Sequence, residues 1–104
     1  MIEQAKFQLG QIVEHTKNGY RGVVIEVDAN YSHTEEWYEK VAKSRPPRDK
    51  PWYHVLVDNA SHSTYVSERH LAPSANLQPI ENPALLHYLE IAQDGQYKSR
   101  QTFM

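Results

Sequence analysis

Apolar positions along this chain come in short runs, with a period of two or with none, separated by turn residues. The densest run is Trp52-Tyr53-His54-Val55-Leu56-Val57, entered through Pro51 and stopped by Asp58-Asn59. A run that apolar in a polar chain predicts a central strand covered on both faces. Residues 11–15 (Gln-Ile-Val-Glu-His) read as a first strand, and residues 22–28 (Gly-Val-Val-Ile-Glu-Val-Asp) as a second, strongly β-branched one. Between them, Lys17-Asn18-Gly19-Tyr20 is a hairpin signal, because Asn-Gly tolerates positive φ. A two-residue loop at Asn18-Gly19 pairs Glu14 with Val23 and puts a carboxylate on the Val23/Ile25/Val27 face. A loop one residue longer pairs Val13 with Val23 and turns Glu14 outward. A one-residue slip inverts a whole strand, so burial should select the longer loop, with His15 facing inward near the rim.

Further along, residues 63–67 (Ser-Thr-Tyr-Val-Ser) should return antiparallel to the 52–57 strand, followed by one helical turn at Glu68-Arg69-His70-Leu71. Residues 32–43 read as a short helix. Ser32 and Glu35 form a capping box, and Trp37/Val41 and Tyr38/Ala42 stand four apart on adjoining stripes. Glu36/Lys40 and Glu39/Lys43 are both in the favourable order, acid first. Arg45-Pro46-Pro47 ends this helix, since proline disfavours α geometry just before it. Residues 44–50 are then a stiff, basic connector. Residues 74–82 read as an irregular linker. A second helix starts with Asn82 as N-cap and Pro83 at the first helical position, shows Leu85, Leu86, Leu89 and Ala92 on its apolar side, and stops at Gly95. The remainder, to Met104, reads as loosely held. These elements predict a mainly β protein: a small SH3-like β-barrel with a short helical insertion and a C-terminal helix. The barrel domain takes residues 1–74, with 29–50 as the helical, basic insertion. Residues 75–104 form a linker, short helix and tail packed on or beside it.

Composition narrows the class. The 104 residues suffice for one domain with a modest core, and 39% hydrophobic with 23% charged residues is ordinary for a globular protein. No apolar stretch approaches the roughly 20 residues that span a bilayer, and Met1–Lys6 lacks the apolar core of a signal peptide, which points to the cytoplasm. The absence of cysteine removes a disulfide scaffold, thiolate metal sites and a cysteine nucleophile. Net charge is -2, whereas a protein that grips duplex DNA non-specifically shows a positive balance. A nucleic-acid role must therefore rest on a local patch. Lys40, Lys43, Arg45, Arg48 and Lys50, five of the eleven basic side chains, supply one and are the candidate DNA contacts.

Catalytic sets are missing. None of the six histidines stands in a metal-ligand spacing with another, and their intervals of eight at 54, 62 and 70 fit no standard pair. His15 and His54 read as partly buried, hydrogen-bonded histidines and the others as surface groups. Ser61-His62-Ser63 lacks the strained turn and oxyanion donors that a serine nucleophile needs. Four scattered glycines make no phosphate loop. Glu35-Glu36 is explained as first-turn charge complementing a helix dipole. No cofactor, metal or catalytic residue is expected. Trp37 and Tyr38, beside the basic connector, are the candidate protein contacts, because an exposed tryptophan next to arginine is a binding anchor. The other reading is that Trp37 lies back over the barrel and plugs one end.

An ordered set of segments carries a family resemblance. It comprises Lys6-Phe7-x-x-Gly10-Gln11-x-Val13-x-His15, Arg21-Gly22-Val23-Val24-x-x-Val27-Asp28, Thr34-Glu35-Glu36-Trp37-Tyr38, Pro51-Trp52-Tyr53-His54-Val55-Leu56 and Tyr65-Val66-Ser67-Glu68. The chain resembles the heat shock protein HspQ family, also called the YccV-like hemimethylated-DNA-binding domain, from about residue 6 to residue 73. The likeness extends through Pro79-Ile80-x-x-Pro83 to Gly95-Gln96-Tyr97. The resemblance implies an SH3-like barrel, a cytoplasmic location, no enzymatic activity and self-association, as a trimer. It implies a heat-induced quality-control factor that enhances the specificity of the ATP-dependent protease Lon. Clients would be denatured or regulatory proteins such as the replication initiator DnaA. It also implies binding of hemimethylated DNA. The acidic charge balance puts the protease role first and the DNA role second.

Overall fold

The computed structural model describes residues 5–100, so expectations placed on residues 1–4 and 101–104 lie outside the described residues. Five strands form one antiparallel sheet: β1 (Ile12–His15), β2 (Arg21–Asp28), β3 (Trp52–Val57), β4 (Ser63–Ser67) and β5 (Leu71–Pro73). Their order is β4-β3-β2-β1-β5, and a 3₁₀ turn at Glu68–His70 carries the chain from one edge strand to the other. The predicted SH3-like barrel is not what forms. β4 and β5 are the two free edges, and no hydrogen-bonded ladder joins them. The physical reason is that the sheet buries both faces without closing. Phe7, Val13, Val24, Tyr53, Val55, Val66 and Leu71 make a core on one face. Val23 and Leu56, on the other face, are covered by Ile80, Leu85, Leu89 and Tyr97 from the C-terminal segment. An antiparallel sheet covered on both sides has no exposed apolar face for closure to hide. The prediction for 52–57 holds, since Tyr53 and Val55 enter the first core while Leu56 enters the second.

Two faces also explain a register error. β1 pairs with β2 as Ile12↔Val23, Val13↔Gly22 and Glu14↔Arg21, one step beyond the predicted Val13↔Val23. With one buried face, only Val13 could oppose Val23. With two, Ile12 packs with Val23 while Val13, on the opposite side, packs with Val24. Glu14 is exposed, but opposite Arg21 it stands on the Val23 side of the sheet, not on the opposite side as predicted. The loop that fixes this register spans residues 16–19 and is closed by His15 N–H to the Tyr20 carbonyl at 2.9 Å. His15 Nδ1 accepts from Lys17 N–H at 3.2 Å and Asn18 N–H at 3.1 Å, so the imidazole organises the turn.

The insertion helix α1 is Glu35–Val41, shorter than the predicted 32–43. Thr34, not Ser32, is the cap, its hydroxyl accepting from Trp37 N–H at 3.0 Å. Ser32 N–H is instead bonded to the Tyr65 hydroxyl. The predicted C-terminal helix is corrected more deeply. Only one turn forms, α2 (Leu85–Tyr88), and the chain then becomes a hairpin, β6 (Leu89–Ile91) and β7 (Tyr97–Ser99). The hairpin brings Tyr97 back to fill the second core, where its hydroxyl accepts from Ile80 N–H at 2.9 Å; a continued helix would leave that space empty. Tyr97 is buried, so the C-terminal stretch is held in place at least to Ser99.

The linker between β5 and α2 has no regular structure, yet side chains hold it to the sheet. Arg21 donates to the carbonyls of Asn76 at 2.8 Å and Gln78 at 2.9 Å, and pairs with Asp58 at 3.0 Å. Asp58 Oδ1 accepts from Glu81 N–H at 2.7 Å, and Asn82 Nδ2 donates to the Val57 carbonyl at 2.9 Å. No helix among the described residues is long and apolar enough to cross a membrane.

Candidate functional site: an aromatic cleft beside the basic connector

Edge strand β4 and helix α1 border an open cleft of about 550 Å³, to which His15 at the end of β1, Asn18 in the loop and Tyr20 just after it also contribute. Its position follows from packing. Trp52 is 1% exposed and anchors a third apolar cluster with Tyr38 and Ala42, which holds α1 against the sheet. The Trp52 indole N–H donates to the Pro47 carbonyl at 3.0 Å, and the Tyr38 hydroxyl donates to the Pro46 carbonyl at 2.6 Å, so the Arg-Pro-Pro connector is tied down at both prolines. Rings tile the cleft floor. Tyr65 stacks on Trp52 at 5.2 Å, Trp37 meets Tyr65 edge-on at 5.6 Å, and His33 stacks on Trp37 at 5.3 Å. On the other side, the Tyr20 hydroxyl and Thr64 Oγ1 lie 2.7 Å apart.

Of the two residues singled out as protein contacts, Tyr38 is only 6% exposed, while Trp37 is half-buried and lies back over Trp52 and Tyr65. The five candidate DNA contacts divide into groups. Arg45 makes a two-pronged pair with Glu39 at 2.8 and 2.9 Å. Arg48 is paired with Glu35 and lies 4.0 Å from the Tyr38 ring centre. Both arginines are thus part of the scaffold that folds the connector back on α1, and those guanidinium hydrogen bonds lower the pKa of their carboxylate partners. Lys40 and Lys43 are exposed, and Lys50 is half-buried. Glu39 takes Arg45 in place of the anticipated Lys43, because a planar guanidinium matches a carboxylate with two parallel bonds.

A basic feature that sequence reading missed lies at the far end of the cleft. His15 stacks on Tyr20 at 5.2 Å and on His70 at 5.8 Å, and His70 Nε2 lies 2.9 Å from Ser44 Oγ. Burial first, then the Lys17 charge, lowers the His15 pKa. Burial, then Lys17, Arg69 and His15, lowers that of His70. Lys17 and Arg69 therefore stand close enough to these rings to be felt, and Arg69 donates to the Ser44 carbonyl at 2.6 Å. Hairpin loop, connector and 3₁₀ turn converge here. No spacing in the chain foretells that, because the three pieces are far apart in sequence.

The residues of this cleft lie within a longer match. Residues 5–96 match the family described as hemimethylated DNA-binding protein YccV like. The chain belongs to that family. Membership makes it a YccV-like, HspQ-type protein, and the family is one of binding proteins rather than enzymes. The YccV-like match covers the sheet, the α1 insertion and the C-terminal cover up to Gln96, so the cleft and its neighbouring cations all fall inside it.

One more grouping belongs to this face. Glu26, Asp28 and His54 each offer a ligand atom, and these atoms lie within 4.8 Å of one another. The chain has no histidine pair at helical ligand spacing; this cluster forms across the β2–β3 ladder instead. The signal that could have found it is the alternation Glu26-x-Asp28 opposite His54, usable only once the strand register is known.

Proposed function

We propose that this YccV-like protein is a non-catalytic factor that binds hemimethylated duplex DNA with the α1 insertion and its cleft. Lys40 and Lys43 meet phosphates, Arg45, Arg48 and Lys50 extend the contact along the connector, and the aromatic rings offer an apolar surface to a base methyl group. The observation that carries the reading is the juxtaposition of the ring-lined cleft with free cations. Val41 and Ala42 line it, and the exposed Lys40 and Lys43 flank them in the chain. Methyl groups in the major groove are read by apolar contact, and lysines supply salt-dependent affinity. A net charge of -2 then selects for a local rather than a global interface.

The test is a titration of labelled hemimethylated, fully methylated and unmethylated duplexes at several salt concentrations. Lys40→Glu with Lys43→Glu is expected to weaken binding to all three and to lower the slope of log K against log salt by about 2. These lysines are exposed, so the variant should fold normally, whereas reversal at Arg45 or Arg48 would also break the pairs that shape the connector. Equal affinity for the three duplexes would remove the methyl-reading part. No binding at low salt would remove the reading altogether.

A second reading, a protease-specificity factor in a Lon-type system acting on denatured or regulatory proteins, draws support from a different surface. Leu86, Tyr88 and Ile91 remain 56%, 44% and 55% exposed within six residues of chain. Exposed apolar side chains grouped on a polar protein suit contact with another protein. Adding the protein to a Lon-type protease with a model substrate is expected to raise the degradation rate, and Leu86→Ser with Ile91→Ser to abolish the increase. An unchanged rate with the wild-type chain would refute this second role.

A further inference from the structure

The geometry points to a divalent metal site on the sheet, formed by Glu26, Asp28 and His54. A β-bulge creates it. β2 and β3 pair as Val24↔Val55 and then as Glu26↔His54, leaving Ile25 as the extra residue. In a ladder without the bulge Ile25 would stand opposite His54, and Glu26 would be driven toward Tyr53 in the first core. With it, Glu26 and Asp28, two apart and so on one side of the strand, both face the His54 side. His54 Nε2 then lies 3.3 Å from Asp28 Oδ2 and 3.8 Å from Glu26 Oε2. Nitrogen and oxygen ligands about 2.0–2.2 Å from one tetrahedral ion stand roughly 3.3–3.6 Å apart. Small rotations of the exposed Glu26 side chain bring all three atoms to that spacing.

The donors are held in place by their neighbours. The Tyr65 hydroxyl accepts from Ser32 N–H at 3.0 Å, so its own proton goes to Asp28 Oδ2 at 2.7 Å. Metal-ligating carboxylates are oriented by hydrogen bonds of this kind. His54 is fixed by the Tyr65 ring, 4.6 Å away. A hydrogen bond alone accounts for only part of the arrangement. One Nε2 proton satisfies Asp28, and Glu26 at 3.8 Å is beyond hydrogen-bond reach. A divalent ion answers both carboxylates and the imidazole at once. An imidazole with two carboxylates suits zinc or a neighbouring transition ion better than magnesium or calcium. Three protein ligands leave a fourth position for water or another oxygen donor. His54 would present Nε2 to the ion, with its ring proton on Nδ1.

This inference is independent of DNA binding, and its test contains no DNA. Zinc chloride is titrated calorimetrically into the full chain stripped with chelator, and cobalt(II) is used as a visible-absorption reporter. The expected result is one Zn²⁺ per chain and a cobalt spectrum of low coordination number. Glu26→Gln is expected to weaken binding at least tenfold, and His54→Ala to abolish it together with the cobalt bands. His62→Ala and His87→Ala, at exposed histidines outside the cluster, are expected to leave both unchanged. Glu26 is exposed, so its variant tests the site even where His54→Ala disturbs the fold. Absence of zinc binding by the wild-type chain, or binding that survives both Glu26→Gln and His54→Ala, overturns the assignment.

Discussion

Trp52→Ala is expected to destabilise the protein by about 4 kcal/mol, the range for removing a large buried aromatic. Trp52 is 1% exposed, and its ring meets Tyr31 at 5.0 Å, Tyr65 at 5.2 Å and Tyr38 at 6.3 Å. It also satisfies the Pro47 carbonyl through its indole N–H. The substitution removes the floor on which α1 rests, so the loss combines a cavity with an unpaired carbonyl near the connector. Small domains hold only about 5–15 kcal/mol in total, so this is a large share. Urea unfolding followed by far-UV circular dichroism measures it. Trp52→Phe keeps a ring and is expected to recover at least half of the loss. A cost below about 1 kcal/mol for Trp52→Ala would show that α1 is held by something else.

Gly22→Ala is expected to cost about 3 kcal/mol through overpacking rather than through a cavity. Gly22 is buried in β2, opposite Val57 of β3. A methyl group there would meet the Leu56 carbonyl oxygen at 2.5 Å and overlap a Val55 methyl. The first obstacle is backbone in a hydrogen-bonded ladder and cannot swing aside. β2 would have to move away from β3, the most extensively paired neighbours in the sheet. The same unfolding measurement, with the midpoint shifted and the slope unchanged, is the expected outcome. A near-neutral result would mean that the two strands can separate locally at little cost.

Four of the five strands of the sheet were legible because their signals are local; β5 was not, since Leu71 reads as the end of a helical turn and three residues are too few to show a pattern. Val23-Val24-Ile25 and Trp52 to Val57 announce buried strands by composition, and Asn18-Gly19 announces a turn. Register was not legible, because it depends on a cover that arrives from elsewhere in the chain. Placing Ile12 opposite Val23 makes sense only when Leu89 and Tyr97 are there to bury that face. The loop length was hidden for a related reason. His15 acts as a side-chain acceptor for its own turn, a use of histidine that no turn propensity encodes.

The C-terminal segment was misread where two signals compete. Leu85, Leu86, Leu89 and Ala92 have helical spacing, but Asp94-Gly95 is also a hairpin dipeptide. Gly95 has φ +86 and serves the β6–β7 turn rather than a helix cap. Tyr97 decides the contest, since only a returning strand carries it into the second core. The site was legible in part. The rings and the basic run stood out in the sequence, but which cations are engaged did not. Arg45 bends the chain at φ +52 to reach Glu39, a geometry that composition cannot signal. Likewise the Glu26/Asp28/His54 cluster depends on one bulged residue, Ile25, and no pattern of charges marks a bulge.

The second core also sets an order of events during synthesis. Val23 and Leu56 leave the ribosome long before Leu89 and Tyr97, which cover them. A nascent chain that has completed its five strands therefore still shows one apolar side to the surrounding water. Until some forty further residues have emerged after Leu56, that side is open to chaperones or to aggregation, and the final hairpin acts as the latch that ends the exposure.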